Sequence, residues 1–203
     1  MQHIVCLDLE GTLVPEIWIA VADAANIPEL RVTTREEPDY DKLMKMRIAT
    51  LREHGLTIAD IQKVIAGVEP LPGAKEFLDE LRTLTQVVIL SDTFTQFAKP
   101  VMEKLGWPTI FCNALVIDGE GFVTDYEYRV QNPKYVSVRA LESTGFQVIA
   151  AGDSHNDLPM IKVAKAGFLM NAPEAIIAEN PDVPAFNTYP QLMAAIKEVL
   201  TGE

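Results

Sequence analysis

The pattern of hydrophobic and polar positions divides the chain into short apolar runs and longer segments with helical periodicity. Apolar runs of about four residues predict buried strands, and they occupy residues 4–7, 87–90, 109–112, 148–151 and 167–170. A further stretch, 115–130, alternates apolar and polar residues around Asp118-Gly119-Glu120-Gly121 and therefore predicts a β-hairpin.

Helical periodicity fills most of the sequence between these runs. Apolar residues recur there every three or four positions, which predicts amphipathic helices at 72–84, 94–105, 133–144, 156–165, 173–179 and 190–200. Pro100 lies inside the second of these helices and predicts a kink or a later start. Strands that alternate with helices predict an α/β fold, in which a parallel sheet carries helices on both faces.

Residues 14–70 differ from the rest of the chain because they carry helical patterns and no strand signal. The core domain is therefore expected to span residues 1–13 and 71–203. Residues 14–70, called the helical insert below, enter directly after the first predicted strand.

Three helices are predicted within the helical insert. Pro15 suits the first turn of the first helix, residues 40–51 form the second, and Thr57 caps the third, over 57–68. Arg47 falls on the apolar stripe of the second helix, where a hydrophobic residue is expected. A charge in that position makes Arg47 a candidate for ligand binding.

Polar residues follow three of the predicted strands. Asp8 and Glu10 follow the first strand, Ser91 and Asp92 follow the second, and Asp153 follows the run that ends at Ala151. The ligand site of a parallel α/β sheet lies beyond the carboxyl ends of its strands, so these side chains should meet at one edge. Neighbouring carboxylates repel each other unless a cation or a shared proton separates them, which favours a functional site.

The sequence G-D-S-H-N-D adds oxygen ligands where a predicted strand turns into a helix. Asp153, Asn156 and Asp157 are hard donors of the kind that suits Mg²⁺. An EF-hand calcium loop is excluded, because His155 stands at the third loop position and the required glycine is missing. Helix capping by Asp153 or Ser154 is the alternative, and it is compatible with a metal site.

This constellation suits phosphoryl transfer. A carboxylate beside a metal can attack phosphorus and form an aspartyl-phosphate, and a second carboxylate can protonate the leaving oxygen and then activate water. The charge on the transferring group needs cations and hydrogen-bond donors, for which Ser91 and Lys134 are the candidates. Lys134 follows Asn132-Pro133 at a predicted helix start, where a solvated surface lysine is also a common outcome.

Taken together, these positions resemble the four ordered motifs of the haloacid dehalogenase superfamily of phosphohydrolases. The motifs are, in order, Asp8-Leu9-Glu10-Gly11-Thr12, Ser91, Lys134 and Gly152-Asp153-x-x-x-Asp157. The helical insert resembles the cap of the phosphoserine phosphatases, and the sequences V-P-E-I-W and S-D-T resemble the branch that also has homoserine phosphotransferase activity. The resemblance implies a Rossmann-type α/β core with a small helical cap.

A role for each motif residue is implied by the same resemblance. Asp8 would be the nucleophile and a metal ligand, and Glu10 would be the general acid/base with its backbone carbonyl on Mg²⁺. In the wider family the residue at this second position is usually aspartate, so the longer glutamate changes its reach. The phosphate-binding residues would be Ser91, Asp92, Lys134 and Asn156, and the further metal ligands Asp153 and Asp157.

Phosphoserine is the substrate that this resemblance implies. Arg47 would hold its carboxylate as a bidentate pair. Glu16 would take its ammonium group, although it lies one residue closer to the nucleophile than in phosphoserine phosphatases. Met44 would pack over the substrate and Thr93 would contact it. The alternatives are a first-turn helix acid for Glu16, a snorkelling surface arginine and a core methionine.

Charge and composition limit the classes of partner that the protein is expected to bind. A formal net charge of −12 disfavours nucleic acid and anionic membranes. Cys6 and Cys112 suggest no disulfide framework, no signal peptide is recognised, and no apolar run reaches membrane-spanning length, so a cytoplasmic location is expected. The oligomeric state stays open.

The expected function is thus a Mg²⁺-dependent phosphoserine phosphatase, with homoserine as an alternative acceptor of the phosphoryl group. Another small phosphomonoester as substrate is the first alternative. A receiver-type signalling domain is disfavoured, because receivers lack a helical insert after the first strand and carry their acceptor aspartate later. A non-catalytic relative is disfavoured because every catalytic position is filled.

Overall fold

The structure, a computed structural model, describes residues 2–34, 36–37 and 39–202. The described residues form strands β1 (His3–Leu7), β2 (Gln86–Phe94), β3 (Thr109–Ile117), β4 (Val123–Glu127), β5 (Gln147–Gly152), β6 (Ala166–Met170) and β7 (Ala185–Phe186). These strands make one sheet in the order β4-β3-β2-β1-β5-β6-β7. All neighbours pair in parallel except β3 and β4, which form an antiparallel hairpin.

Helices cover the sheet and form the helical insert. The insert contributes α1 (Ile17–Ala25), α2 (Tyr40–Glu53) and α3 (Ile58–Ile65), with a short 3₁₀ helix at Pro28–Arg31. The remaining helices are α4 (Ala74–Leu84), α5 (Thr95–Lys104), α6 (Pro133–Ser143), α7 (Leu158–Val163), α8 (Glu174–Glu179) and α9 (Tyr189–Thr201). Within the described residues, no helix has the length and apolar character needed to cross a bilayer.

Alternate residues of β1 face two separate hydrophobic layers, as strand geometry requires. Val5 and Leu7 belong to a core that also contains buried residues of α4, α5 and α9. Ile4 and Cys6 belong to a second core with residues of α6, α7 and α8. The predicted α/β architecture, a largely parallel sheet with helices on both faces, is therefore confirmed.

All three α-helices of the helical insert contact the rest of the molecule. Its α1 packs on α5, where the Trp18 and Phe97 rings meet edge to face at 5.3 Å. Its α2 and α3 contact the β3–β4 hairpin, where the Ile58 N–H donates to the Gly121 carbonyl and the Arg52 guanidinium pairs with a carboxylate of the turn. Thr57 caps α3 as predicted. The domain boundaries at 13/14 and 70/71 stay a prediction.

Several element ends differ from the expectation. The helix expected from Pro15 begins at Ile17, the one expected from 156 begins at Leu158, and α5 begins at Thr95 with Pro100 inside it, so the later start is wrong. Strand β2 continues past Leu90 to Phe94 through an irregular register, because sheet pairing does not stop where the apolar run stops. The two-residue β7 is too short to leave a periodic signal and was not predicted.

Candidate active site

The strand ends bring the predicted polar residues together. Asp8 directly follows β1, and its N–H donates to the Ala151 carbonyl of β5 at 2.9 Å. Because β1 lies between β2 and β5, Ser91 and Asp153 flank it at the same edge of the sheet. All three side chains are buried. The convergence expected from parallel strands is thus confirmed.

Lys134 joins two carboxylates in this cluster. Its Nζ donates to Asp8 Oδ1 at 2.7 Å and also to Asp157 Oδ1. The start of α6 aims it inward: Asn132 adopts a left-handed conformation with φ 50°, and Pro133 presets the first helical turn. Only 3% of the Lys134 side chain is exposed, so the solvated-surface alternative is wrong.

The charges in this cluster are strongly coupled. Burial alone would lower the pKa of Lys134, but the Asp157 and Asp8 carboxylates outweigh it and raise that pKa well above its usual value. Burial and the Asp157 charge raise the pKa of Asp8, and Asp153 adds to the rise, while Lys134 opposes it. One ammonium group therefore does not neutralise these carboxylates, and a further cation or a bound proton would relieve their repulsion.

The loop between β5 and α7 is shaped around its carboxylates. Asp157 Oδ2 accepts from the backbone N–H groups of Asp153 and Ser154 at 3.1 and 2.9 Å. Asp157 occupies the N-cap position of α7, so the expected cap at Asp153 or Ser154 is wrong. Two glycines leave room: a Cβ on Gly152 would lie 2.3 Å from the Asp157 Cγ, and one on Gly11 would lie 2.4 Å from an Asp153 oxygen.

This donor set fits a hard divalent cation. Asp8, Asp153 and Asp157 each offer an oxygen, and these three oxygens lie within 4.8 Å of one another. Oxygen donors with an uncompensated negative charge suit Mg²⁺. The fit supports the predicted metal, and the ligand set itself stays a prediction.

Glu10 connects the sheet edge to the helical insert. Its Oε2 accepts a hydrogen bond from the Ile17 N–H at the start of α1, at 2.8 Å. Burial and the Glu16 charge raise the pKa of Glu10 to about 7, while Ile17, Arg47 and Thr93 oppose the rise. A carboxyl group with such a pKa can both donate and accept a proton near neutrality.

Ser91 and Thr93 present hydroxyl groups to the same space. The Thr93 N–H donates to Ser91 Oγ at 3.2 Å, so the Ser91 hydroxyl proton is available to a ligand. Thr93 Oγ1 is buried and has no hydrogen-bond partner of good geometry among the described residues. It nevertheless interacts with the Glu10 carboxyl and lowers the pKa of that group. Both side chains line the site.

Asp92 is a junction between segments. Its Oδ2 accepts from the Asn156 Nδ2 at 2.7 Å. Its backbone carbonyl accepts from the Tyr40 hydroxyl and from Asn113 Nδ2, each at 3.3 Å. The two predicted phosphate-binding residues Asp92 and Asn156 are therefore bonded to each other.

Arg47 is buried within the helical insert, with only 5% exposed. Its guanidinium lies 4.4 Å from the Trp18 ring centroid, and Nη2 donates to the Val32 carbonyl at 2.9 Å. Nε has no partner among the described residues. Burial lowers its pKa to about 10, against the opposing charges of neighbouring acids, so it stays a cation. The snorkelling alternative is wrong, since the charged head itself is buried.

One cavity of about 560 Å³ contains most of these groups. The predicted site residues that line it are Asp8, Glu10, Glu16, Arg47, Ser91, Asp92, Thr93, Lys134, Asp153 and Asn156. Met44 does not line it: its side chain is fully buried in the core, and its sulfur lies 3.9 Å from Arg47 Nη1. Met44 therefore supports Arg47 instead of facing the cavity. Asp157 lies beneath the cavity, against Lys134.

Sequence reasoning missed several residues of the site. Tyr40 and Trp18 match the apolar faces of their predicted helices and so give no sign of a role in the site, and Asn113 and Tyr128 are not among the predicted site residues. Trp18 does pack on Phe97, but it also carries Arg47 and lines the cavity. The one available signal for Asn113 was its position directly after the predicted strand T-I-F-C; in the structure its side chain is buried.

Comparisons with known proteins place these features in a family. A model of the haloacid dehalogenase-like hydrolases matches residues 3–165. Phosphoserine phosphatase ThrH of Pseudomonas aeruginosa is 54% identical over 191 residues, which cover 94% of this chain and 93% of that protein. A phosphoserine phosphatase of Pseudomonas syringae pv. tomato is 53% identical, covering 94% of this chain and 80% of that protein.

Solved structures agree on the fold. A phospho-aspartyl intermediate analogue of phosphoserine phosphatase superposes with a TM-score of 0.79 at 22% identity, covering 96% of this chain and 98% of the other. At this identity the likeness concerns the fold alone. With its motifs at one sheet edge and the family match over most of its length, the chain belongs to the haloacid dehalogenase-like hydrolases.

Proposed function

We propose that this protein is a Mg²⁺-dependent phosphoserine phosphatase that works through an aspartyl-phosphate on Asp8. The observation that carries the proposal is the make-up of the 560 Å³ cavity. It combines the carboxylates and Lys134 of a phosphoryl-transfer site with a buried arginine and a glutamate from the helical insert. Phosphoserine carries a phosphate, a carboxylate and an ammonium group, and each would meet a side chain of opposite charge there.

Asp8 and Asp153, with the backbone carbonyl of Glu10, would hold the metal. Asp157 would orient this set, since its Oδ2 accepts three hydrogen bonds from the loop and its Oδ1 accepts from Lys134. When bound, Mg²⁺ neutralises the carboxylates and the charge of the phosphoryl group.

The first chemical step forms the covalent intermediate. The free oxygen of Asp8 attacks phosphorus, the bond from phosphorus to the serine oxygen breaks, and Glu10 gives its proton to that oxygen. Glu10 then takes a proton from water as the water oxygen attacks phosphorus and frees Asp8. The hydrogen bond from the Ile17 N–H would hold one Glu10 oxygen in place and leave the other for proton transfer.

Ser91 and Lys134 would hold the phosphoryl oxygens as donors, together with Asn156. Asp92 would contribute through its backbone N–H, because its carboxylate accepts from Asn156 and would repel a phosphate. Thr93 would contact the substrate through its buried hydroxyl.

The helical insert would act as a cap and select the amino acid. Arg47 offers an unpartnered Nε to the substrate carboxylate, and the Trp18 ring keeps its guanidinium in place. Glu16 lines the same cavity and would take the ammonium group; its side chain makes no cap hydrogen bond with α1. Movement of this cap would exclude water during transfer and admit it afterwards.

Homoserine as acceptor is a second activity of the same intermediate. Its hydroxyl would take the place of water, Glu10 would accept the proton, and phosphohomoserine would leave. The likeness to the phosphoserine phosphatase named ThrH favours this variant. We also place the reaction in the cytoplasm, in keeping with two free cysteines, of which Cys6 is buried.

The deciding experiment measures phosphate release from O-phosphoserine with Mg²⁺, with and without homoserine, while following both products. Release that stops when EDTA removes the metal is expected, and phosphohomoserine would add the transferase activity. Turnover of sugar phosphates but not of phosphoserine would show that another small phosphomonoester is the substrate. A stable phosphoprotein without turnover would instead favour a receiver-like signalling domain.

A further inference from the structure

The Asp92 junction ties four segments to one residue. Its carbonyl accepts from Tyr40 of the helical insert and from Asn113 of β3, and its carboxylate accepts from Asn156 of the β5–α7 loop. Asn113 Oδ1 in turn accepts from the Arg129 N–H at 3.1 Å, in the segment that leads to α6. The residues proposed to bind the phosphoryl oxygens are therefore all linked to Asp92. Ser91 is its neighbour in β2, Asn156 bonds its carboxylate, and Lys134 bonds Asp157 in the same loop as Asn156.

Tyr40 is the member of this junction that belongs to the helical insert. It is the first residue of α2, and its half-buried ring contacts the Tyr126 and Tyr128 rings of the core, with centroids 5.7 Å away in each case. Burial, helped by the nearby Asp92 charge, raises its pKa, so the hydroxyl remains protonated and can donate. It reaches a segment 52 positions away in the sequence.

We propose that Tyr40 is a positioning residue that couples closure of the helical insert to the geometry of residues 91–93. The proposal rests on the proposed function only in taking this segment to hold a phosphoryl group. When the insert closes, the Tyr40 hydroxyl bonds the Asp92 carbonyl and fixes the peptide between Asp92 and Thr93. When it opens, Asn113 Nδ2 remains as the donor to that carbonyl among the described residues.

The consequence is a two-way link. The Thr93 N–H bonds Ser91 Oγ, and the Asp92 carboxylate bonds Asn156, so rotation of this peptide would displace both phosphate donors. A bound phosphoryl group that orders residues 91–93 would in turn favour the closed insert, because coupling between two sites is reciprocal.

The chain offers a matched pair of variants. Tyr40→Phe removes one hydroxyl and keeps the ring. Tyr126→Phe removes a hydroxyl from the same aromatic cluster, but that hydroxyl donates to Asp41 Oδ1 at 3.1 Å and does not contact residues 91–93. A neutral hydrogen bond is worth a factor of about 3 to 10, so Tyr40→Phe should lower kcat/KM for phosphoserine by that factor. Tyr126→Phe should leave kcat/KM unchanged.

Two further measurements separate coupling from a structural defect. The loss in Tyr40→Phe should be equal for phosphoserine and p-nitrophenyl phosphate, because it acts at the phosphoryl-binding segment and not at the amino acid. Calorimetric titration with inorganic phosphate and Mg²⁺ should show the same weakening of about 3- to 10-fold, with no matching change in Tyr126→Phe. Thermal unfolding of both variants serves as the folding control.

The outcomes are distinct. If the wild-type protein binds phosphate but does not turn over phosphoserine, the proposed substrate fails, and the phosphate titration still decides the role of Tyr40. Equal phosphate affinity and equal p-nitrophenyl phosphate turnover in wild type and Tyr40→Phe would overturn the coupling. Equal losses in Tyr40→Phe and Tyr126→Phe would do so as well, since they would reflect only the packing of the tyrosine cluster.

Discussion

The two sides of the cavity are built on different principles. At the sheet edge, Lys134 donates to both Asp8 and Asp157, and Asp157 also accepts from the backbone, so the phosphoryl side is ordered by the protein itself. On the side of the helical insert, Arg47 Nε is buried without a partner among the described residues. Unpartnered buried polar atoms cost free energy, so this arrangement favours a ligand that supplies the missing partner. The phosphoryl-binding side is thus ordered without a ligand, whereas the side that would select the amino acid is completed only when the substrate binds.

Replacement of the nucleophile should have the largest effect on activity. Asp8→Asn keeps the shape but removes the attacking charge, so turnover should fall by about 10³-fold or more. Because Asp8 is also repelled by Asp157 and Asp153, the variant should unfold at an equal or higher temperature. Activity and thermal unfolding are measured on the same preparation. A variant that loses activity only because it unfolds would contradict this interpretation.

Breaking the ordered side should cost both stability and activity. Lys134→Met leaves the Asp8 and Asp157 carboxylates buried without their shared cation, and the free energy of unfolding should fall by about 3 kcal/mol. Added Mg²⁺ should restore part of it. Denaturant unfolding is the measurement.

Lys197→Met is the matched control for that comparison. Lys197 forms an ion pair with Glu80 in which both side chains are about half exposed, so its loss should hardly change stability. Equal effects of the two substitutions would remove the distinction between a buried and an exposed pair.

On the insert side, Arg47→Ala should act on specificity. Loss of a charge-assisted pair with the substrate carboxylate should raise KM for phosphoserine by about 10- to 100-fold. A generic aryl phosphate has no such carboxylate, so its turnover should be spared. Steady-state kinetics on both substrates decide the matter, and equal losses would remove the carboxylate-binding role of Arg47.

The smallest expected effect is that of Thr93→Val. The hydroxyl makes no hydrogen bond of good geometry with the described residues, so its removal should leave the free energy of unfolding unchanged or raise it by up to about 1 kcal/mol. Activity should fall about 2- to 5-fold if the substrate uses this hydroxyl, and Thr93→Ser should retain it. A clear loss of stability in Thr93→Val would show that the hydroxyl has a structural partner.

The two sides of the cavity also differ in how well their residues could be predicted from the sequence. Asp8, Ser91 and Asp153 were predictable as neighbours because each follows a short apolar run, and parallel strands align their carboxyl ends. The bond between Lys134 and Asp8 joins residues 126 positions apart, and local pattern suggested only that the lysine starts a helix.

Residues of the insert side were harder to predict. Arg47 stood out as a charge on an apolar stripe, whereas Tyr40 matched that stripe and so gave no sign of its bond to Asp92. Met44 gave the same apolar signal whether it faced a ligand or the core. Whether such a residue faces the ligand or the core depends on the direction of its side chain and on contacts with distant segments. The periodicity of one helix predicts neither.

Gly11 and Gly152 carry a consequence for how this sequence can vary. At each, even a methyl group would overlap a carboxylate of the metal-site cluster, whereas Gly119, in the β3–β4 turn, has no atom within 4 Å of such a methyl. Gly119 can therefore be replaced without a clash, whereas Gly11 and Gly152 leave no space for a side chain. The acids can be kept and the site still lost, through the two smallest residues in it.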